Sequence, residues 1–315
     1  MKLGTLKSNE SKDGKLVVVS KDNKKAAYVD TVQNLLTALE DWSLHAPKLK
    51  TVYESLNNKD FDKVGAFDVK DSDFHSPLPR TWQWLDGSAF IHHIKLVRMA
   101  RNAALPETLE TVPLMYQGCS DNFLTPTEDI PQVDFSHGTD FEGEVGVVLK
   151  DVPMGTKAKD ALDYVALIVL INDVSLRGLI PAELKQGFGF MQSKPASSFG
   201  PIAVTPDELG SDWKDGRIHL PLSVSFNGEF FGKANAKEMF FSFSELIEHA
   251  AKTRDLAAGT IIGSGTVSNE NPEMGSSCLA EKRMLEKIND GEFKTSFMKD
   301  GDRIEMEMLD SKGLS

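Results

Sequence analysis

The chain has 315 residues, 40% apolar and 26% charged, enough for a substantial core and for one large domain or two smaller ones. Its net charge of −12 argues against sequence-independent nucleic-acid binding, which needs cations on phosphates, yet leaves room for a small anionic ligand beside a metal. No apolar run is long enough to span a membrane, Met1–Glu10 lacks a secretory apolar core, and only Cys119 and Cys278 occur, which points to a reducing cytoplasm rather than a disulfide framework.

The first elements in chain order form a unit of their own. Leu16–Ser20 is predicted as a strand after the turn-like Lys12-Asp-Gly14. Thr31 is expected to cap a helix through Val32, Leu35, Leu36 and Leu39, and a second helix carries Leu49, Val52, Tyr53 and Leu56 after Pro47. The Pro-rich Ser76–Arg80 closes this segment, so a small N-terminal domain is expected over 1–78 and a larger one over 79–315.

Beyond Thr81 strands dominate, without the βαβ alternation or the Gly-rich phosphate loop of a nucleotide-binding sheet. Trp84–Ile94 passes from a Gly-Ser turn into a helix expected over Ile91–Arg101, with Asp86 and His93 in it. A lone histidine there suits a structural role, and it also suits proton transfer near neutral pH. Asp140–Leu149 reads as a strand with Phe141, Val145, Val147 and Leu149 on one face and Glu142 and Glu144 on the other. Such a pair is compatible with a solvated face. Asp173 shifts the balance toward a divalent cation, because it follows the apolar run Val165–Ile171, where an unpaired carboxylate is costly to bury.

Further along, Arg177 and Lys194 follow that aspartate closely, and Lys194 lies in a Gly-, Ser- and Phe-rich stretch expected to line a cavity. A strand over Ile218–Phe226 with a turn at Asn227-Gly228 comes next, then a helix from the capping box Ser242-Phe-Ser-Glu245 to about Thr253. Gly263-Ser-Gly265 allows close backbone approach to a ligand, although hairpin turns use the same residues.

The ordered set Asp86…His93, Glu142-x-Glu144, Asn172-Asp-x-Ser-x-Arg177, Lys194, Gly263–Ser268 and Glu281 resembles the fumarylacetoacetate hydrolase family over roughly Thr81 to Leu309. The resemblance implies a β-rich α+β fold: a mixed β-sandwich roll as catalytic domain behind a small, barrel-like N-terminal α/β domain. It implies Asp86, Glu142, Glu144 and Asp173 as ligands of one Mg²⁺, or Ca²⁺ or Mn²⁺. His93 would be the general base oriented by Glu281, Arg177 and Lys194 would stabilise an oxyanion, and Thr266 would hold a substrate carboxylate. Arg101, Tyr116 and Gln192 are expected to contact substrate. The implied reaction is hydrolysis of a C–C bond in a small anionic 1,3-diketo acid such as fumarylacetoacetate or an acylpyruvate, by a homodimer. The alternatives are decarboxylation of oxaloacetate and isomerisation or hydration of a 2-oxo-dienoate.

Three positions depart from the pattern. The family's best-known member has a tyrosine two residues after the metal aspartate, a glutamine three after the arginine and a tyrosine seven after it; here these are Ser88, Ile180 and Leu184. The chain also ends soon after Glu305–Leu309, so its last strand is expected to be incomplete.

Overall fold

Two apolar runs of the sequence, Lys15–Val19 and Val165–Asn172, become largely buried strands, as continuous hydrophobicity in a sheet interior requires. The sheet they belong to holds twelve strands among the described residues. The structure is a computed structural model that describes residues 1–100 and 104–315, so Arg101 lies outside the described residues and its helix is followed only to Ala100.

The N-terminal strands are β1 (Lys2–Leu6), β2 (Lys15–Val19), β3 (Lys25–Tyr28), β4 (Phe67–Asp68) and β5 (Phe74–His75), with helices α1 (Leu35–Glu40), α2 (Trp42–Asn57) and α3 (Phe61–Val64) between β3 and β4. There follow β6 (Trp84–Gly87), α4 (Ile91–Ala100), β7 (Met115–Gln117), β8 (Thr139–Asp140), β9 (Gly143–Leu149), α5 (Ala158–Ala161), β10 (Val165–Asn172), β11 (Ser175–Leu176) and α6 (Ile180–Gln186). The remainder is β12 (Ser198–Phe199), β13 (Ile202–Val204), α7 (Pro206–Leu209), β14 (Trp213–Lys214), β15 (Arg217–Ile218), β16 (Pro221–Phe226), β17 (Glu229–Asn235), α8 (Phe243–Ala250), β18 (Ile261–Gly263), α9 (Leu279–Asp290) and β19 (Ile304–Met308).

The large sheet runs β4-β3-β2-β1-β13-β10-β9-β18-β6-β7, with β5 added on β1 and β12 on β10. Its one parallel pair among the described residues is β18 with β6, which sets Gly263 beside Asp86. A three-stranded antiparallel sheet, β17-β16-β19, packs over one face. There Val145, Val147 and Leu149 of β9 join Leu222, Val224, Ala234 and Leu246 in one core. On the opposite face Val148, Leu167, Val169, Trp84 and Ile261 share a second core with Leu35, Leu39, Leu49 and Leu56 from α1 and α2. The result is the β-rich α+β sandwich expected.

Several local expectations change. Asn34, not Thr31, caps α1, its side-chain oxygen accepting from Thr37 N at 2.9 Å, because the chain through Thr31 is still turning. Helix α2 starts at Trp42, ahead of Pro47, which lies inside it. The ring costs one backbone donor there, a loss that the burial of Leu49, Tyr53 and Leu56 offsets. The strand expected over Asp140–Leu149 breaks at Phe141–Glu142, with Asp140 in β8 and Glu144 in β9. Likewise Ile218–Phe226 splits around His219-Leu220 into β15 and β16. The capping box at Ser242 forms, but α8 ends at Ala250 rather than near Thr253. The strand expected near Glu305–Leu309 runs Ile304–Met308 and pairs with β16 along its length.

Candidate functional site

Side-chain parity assembles the site. On the face carrying the second core, Trp84 is followed two residues later by Asp86, Ile261 by Gly263, Ile171 by Asp173, and Val148 is preceded by Gly146, Glu144 and Glu142. The registers Gly263↔Asp86, Gly263↔Gly146 and Ile171↔Glu144 align the polar ends of these strands. One face of the sheet thus passes from apolar side chains to carboxylates within a pleat or two. Asp86, Glu142, Glu144 and Asp173 are all buried there, each offering an oxygen within 4.8 Å of the others. Gly263 is needed in this row, since a Cβ on it would stand 2.5 Å from Asp86 Oδ1. Gly265, at φ +77°, donates its N–H to the same oxygen at 3.1 Å.

Two cations face the cluster. Lys194 Nζ donates to Glu142 Oε2 at 2.7 Å and to Asp173 Oδ2 at 2.5 Å. Arg177 donates from Nε to Asp140 Oδ2 at 2.8 Å, while its Nη2 lies 2.6 Å from Glu142 Oε1 as an ion pair without hydrogen-bond alignment. Tyr116, opposite Asp86 on β7, donates its hydroxyl to Asp173 Oδ2 at 2.7 Å, and Ser197 Oγ donates to Asp173 Oδ1 at 2.8 Å.

These surroundings separate the carboxyls electrically. Burial first, and then the neighbouring carboxylates, push Asp86 and Glu144 well above the ordinary carboxylate range. Burial also raises Asp173, against the pull of Lys194. For Glu142 burial works in the same direction, but Lys194 and Arg177 together outweigh it and hold that carboxyl low. Lys194 in turn stays protonated: burial disfavours its charge, and Asp173 and Glu142 more than compensate. Glu144 is the least satisfied member, because both its oxygens are buried without a hydrogen-bond partner among the described residues. Orphaned carboxylate oxygens in an all-oxygen cluster are what a hard divalent cation accepts. The residues present fit such an ion.

A second group adjoins the first. His93, on α4, has its Nδ1 3.1 Å from Glu281 Oε2 on α9, and Ser268 Oγ donates to Glu281 Oε1 at 2.8 Å. Asp140 ties this group to the cluster. Besides Arg177, it accepts from Leu279 N at 2.7 Å and Ala280 N at 2.9 Å, the unpaired donors at the start of α9.

The remaining expected residues are distributed unevenly. Thr266 is buried just beyond β18, next to Gly265. Gln192 has an exposed side chain and contributes its backbone N–H to Glu183 Oε1 at 2.7 Å. Ser88 donates its N–H to Leu114 O, Ile180 is buried at the start of α6, and Leu184 is exposed on that helix. Sequence reasoning passes over Asp140, although it shares the two-residue period of Glu142 and Glu144 and can be read with them. It also passes over Glu183, whose contacts leave no spacing signal, and reads Ser268 only as the end of the Gly263–Ser268 motif, without its bond to Glu281.

A family model described as the C-terminal domain of fumarylacetoacetate (FAA) hydrolase matches residues 83–314, and one described as fumarylacetoacetase N-terminal domain 2 matches residues 1–80. An oxaloacetate tautomerase of Bacillus subtilis is 25% identical over 265 residues, covering 81% of this chain and 83% of that protein. The crystal structure of maleylpyruvate hydrolase from Sphingobium sp. SYK-6, in complex with manganese(II) and pyruvate, superposes with a TM-score of 0.65 at 15% identity over 98% of this chain and 95% of the other. Fumarylacetoacetate hydrolase from Exiguobacterium antarcticum gives a TM-score of 0.65 at 16% identity with the same coverage, 98% and 95%.

Proposed function

The chain belongs to the fumarylacetoacetate hydrolase family, and from that premise we propose that it is a divalent-metal-dependent hydrolase cleaving the C–C bond of a 1,3-diketo acid, an acylpyruvate or fumarylacetoacetate. The observation that carries the reading is the contact between His93 Nδ1 and Glu281 Oε2 at 3.1 Å, beside four buried carboxylates. A carboxylate on Nδ1 orients the imidazole and leaves Nε2 to accept a proton.

Asp86, Glu142, Glu144 and Asp173 would hold the cation, Mg²⁺ in this reading with Mn²⁺ or Ca²⁺ as substitutes. When bound, it would supply positive charge that anchors the 1,3-diketo acid and polarises its carbonyls. His93 Nε2 takes a proton from water, and the hydroxide adds to the acyl carbonyl remote from the substrate carboxylate. The resulting oxyanion collapses to a carboxylic acid. The electrons of the broken C–C bond leave on the methylene between the two carbonyls as an enolate, of pyruvate from an acylpyruvate or of acetoacetate from fumarylacetoacetate, which takes the proton back from His93. Loss of the acid's proton to water completes the balance, with one water consumed. Glu281 stabilises the transient imidazolium, itself fixed by Ser268. Lys194 commits two N–H bonds to Glu142 and Asp173, and its third is the donor for the oxyanion. Arg177, directed at Asp140 and Glu142, keeps Glu142 ionised. Thr266 binds the substrate carboxylate.

A second reading has one specific support, the oxaloacetate tautomerase that is 25% identical over 81% of this chain. The same histidine can move a C3 proton of a 2-oxo acid without water. Acylpyruvates, fumarylacetoacetate and oxaloacetate supplied with Mg²⁺ or Mn²⁺ separate the two. Stoichiometric carboxylic acid and pyruvate from an acylpyruvate is expected. Loss of oxaloacetate enol absorbance with no diketo acid cleaved would replace hydrolysis by tautomerisation.

A further inference from the structure

We propose that His93, Cys278 and Glu281 form a second, inhibitory site for a thiophilic divalent cation such as Zn²⁺, separate from the four-carboxylate cluster. An imidazole nitrogen, a thiol sulfur and a carboxylate oxygen of these residues all lie within 4.8 Å of one another. Tetrahedral zinc, with ligands at about 2.0–2.3 Å, separates its ligand atoms by roughly 3.3–3.7 Å, so small rotations of these side chains close the site. His93 Nδ1 and Glu281 Oε2, at 3.1 Å, already stand near that spacing. The donor set differs in kind from the oxygen-only cluster: nitrogen, sulfur and one oxygen favour zinc over magnesium.

The thiol is otherwise unexplained by the reaction. Cys278 is fully buried, and its sulfur accepts the Glu281 N–H at 3.4 Å as the N-cap of α9. Serine or aspartate is the usual residue for that cap. Asp140 and Glu142 neutralise the nearby Arg177 guanidinium, so that charge does not exclude a cation. Among the three ligands His93 is the most exposed, at 15% of its side chain against 1% for Glu281, and it forms the entry.

Binding has a defined chemical consequence. Zn²⁺ displaces the thiol proton to solvent and replaces the proton shared by His93 Nδ1 and Glu281, which the imidazole then carries on Nε2. A base protonated on Nε2 cannot accept a proton from water. This inhibition rests on the proposed role of His93, whereas the binding itself does not.

The test uses the full chain with its carboxylate cluster first saturated with Mg²⁺. Titration with Co²⁺ is expected to give a thiolate-to-cobalt charge-transfer band in the near ultraviolet. Cys119→Ser keeps that band, while Cys278→Ser retains the helix cap and Mg²⁺-dependent turnover, loses the band and raises the half-inhibitory Zn²⁺ concentration at least about ten-fold. No band in the wild type, or equal Zn²⁺ inhibition of wild type and Cys278→Ser, overturns the site. A band without inhibition overturns the inhibitory role and counts against His93 as the base. Should Cys278→Ser fail to fold, His93→Gln removes the nitrogen ligand from the open side, and unchanged Co²⁺ affinity in that variant overturns the site as well.

Discussion

Glu144 is the residue whose surroundings make least sense without a cation. Its two oxygens are buried without partners among the described residues, and with Asp86 and Asp173 it is held above the ordinary carboxylate range. The sign of the consequence follows from proton counting. As pH rises past about 4, the unfolded chain releases these protons while the folded chain retains them, so stability falls toward neutrality. Glu142, held low, acts oppositely, but its contribution is lost only as pH falls below the same range. Thermal melting of metal-free protein is therefore expected to drop from about pH 5 to pH 8, and saturating Mn²⁺ to flatten or reverse that slope. Glu144→Gln should raise the metal-free melting temperature near neutral pH while abolishing the stabilisation by Mn²⁺ and the turnover. His93→Ala should leave the Mn²⁺-dependent melting shift intact and lower kcat by about 10²–10⁴.

At the scale of elements, the site depends on two devices that hold other elements in place. Asp140 caps α9 from β8 and pairs with Arg177, so Asp140→Ala leaves two helix N–H groups without their acceptor and a buried guanidinium with Glu142 alone of its two carboxylates. A loss of about 3–5 kcal/mol in denaturant unfolding is expected, well beyond an ordinary surface change. Glu183, on α6, gathers the N–H groups of Met191, Gln192 and Ser193 at 2.9, 2.7 and 3.1 Å, one residue ahead of Lys194. Glu183→Ala should lower kcat/KM through a displaced Lys194, with the metal-dependent melting shift retained; an unchanged kcat/KM would show that Lys194 is held without it. Asp140 shares the two-residue period of Glu142 and Glu144, so its place in that row is legible, but its hold on α9 is not. Glu183 serves the backbone donors of a following loop, and that leaves no sequence period to betray it.

For the whole molecule, the boundary expected at 78/79 is crossed by hydrogen bonds. Lys2, Leu3 and Gly4 of β1 pair with Val204, Ala203 and Ile202 of β13, and Tyr53 donates to Glu208 at 2.6 Å. The second core draws side chains from both sides, among them Leu3, Leu35 and Leu49 with Phe123, Leu167 and Phe199. Such continuity predicts one cooperative unfolding transition by calorimetry rather than two. A chain begun at residue 79 should lose solubility, because it bares the β13 edge and half of that core. Two resolved transitions and a soluble, folded 79–315 fragment would establish independent units instead.

Strand parity and an apolar run single out Glu142, Glu144 and Asp173, because side chains in a strand alternate strictly and a carboxylate at the end of a buried run demands a partner; Asp86 joins them only through the family resemblance. The capping box at Ser242 and the Asn227-Gly228 turn were equally legible, since both are decided within four residues. Tertiary structure alone decided how near those carboxylates stand, that Lys194 and Arg177 face them, and that Asp140 fastens α9 and its Glu281 beside His93. Those are contacts between segments up to 188 residues apart. Their geometry is set by strand register and packing, neither of which a local pattern of residues encodes.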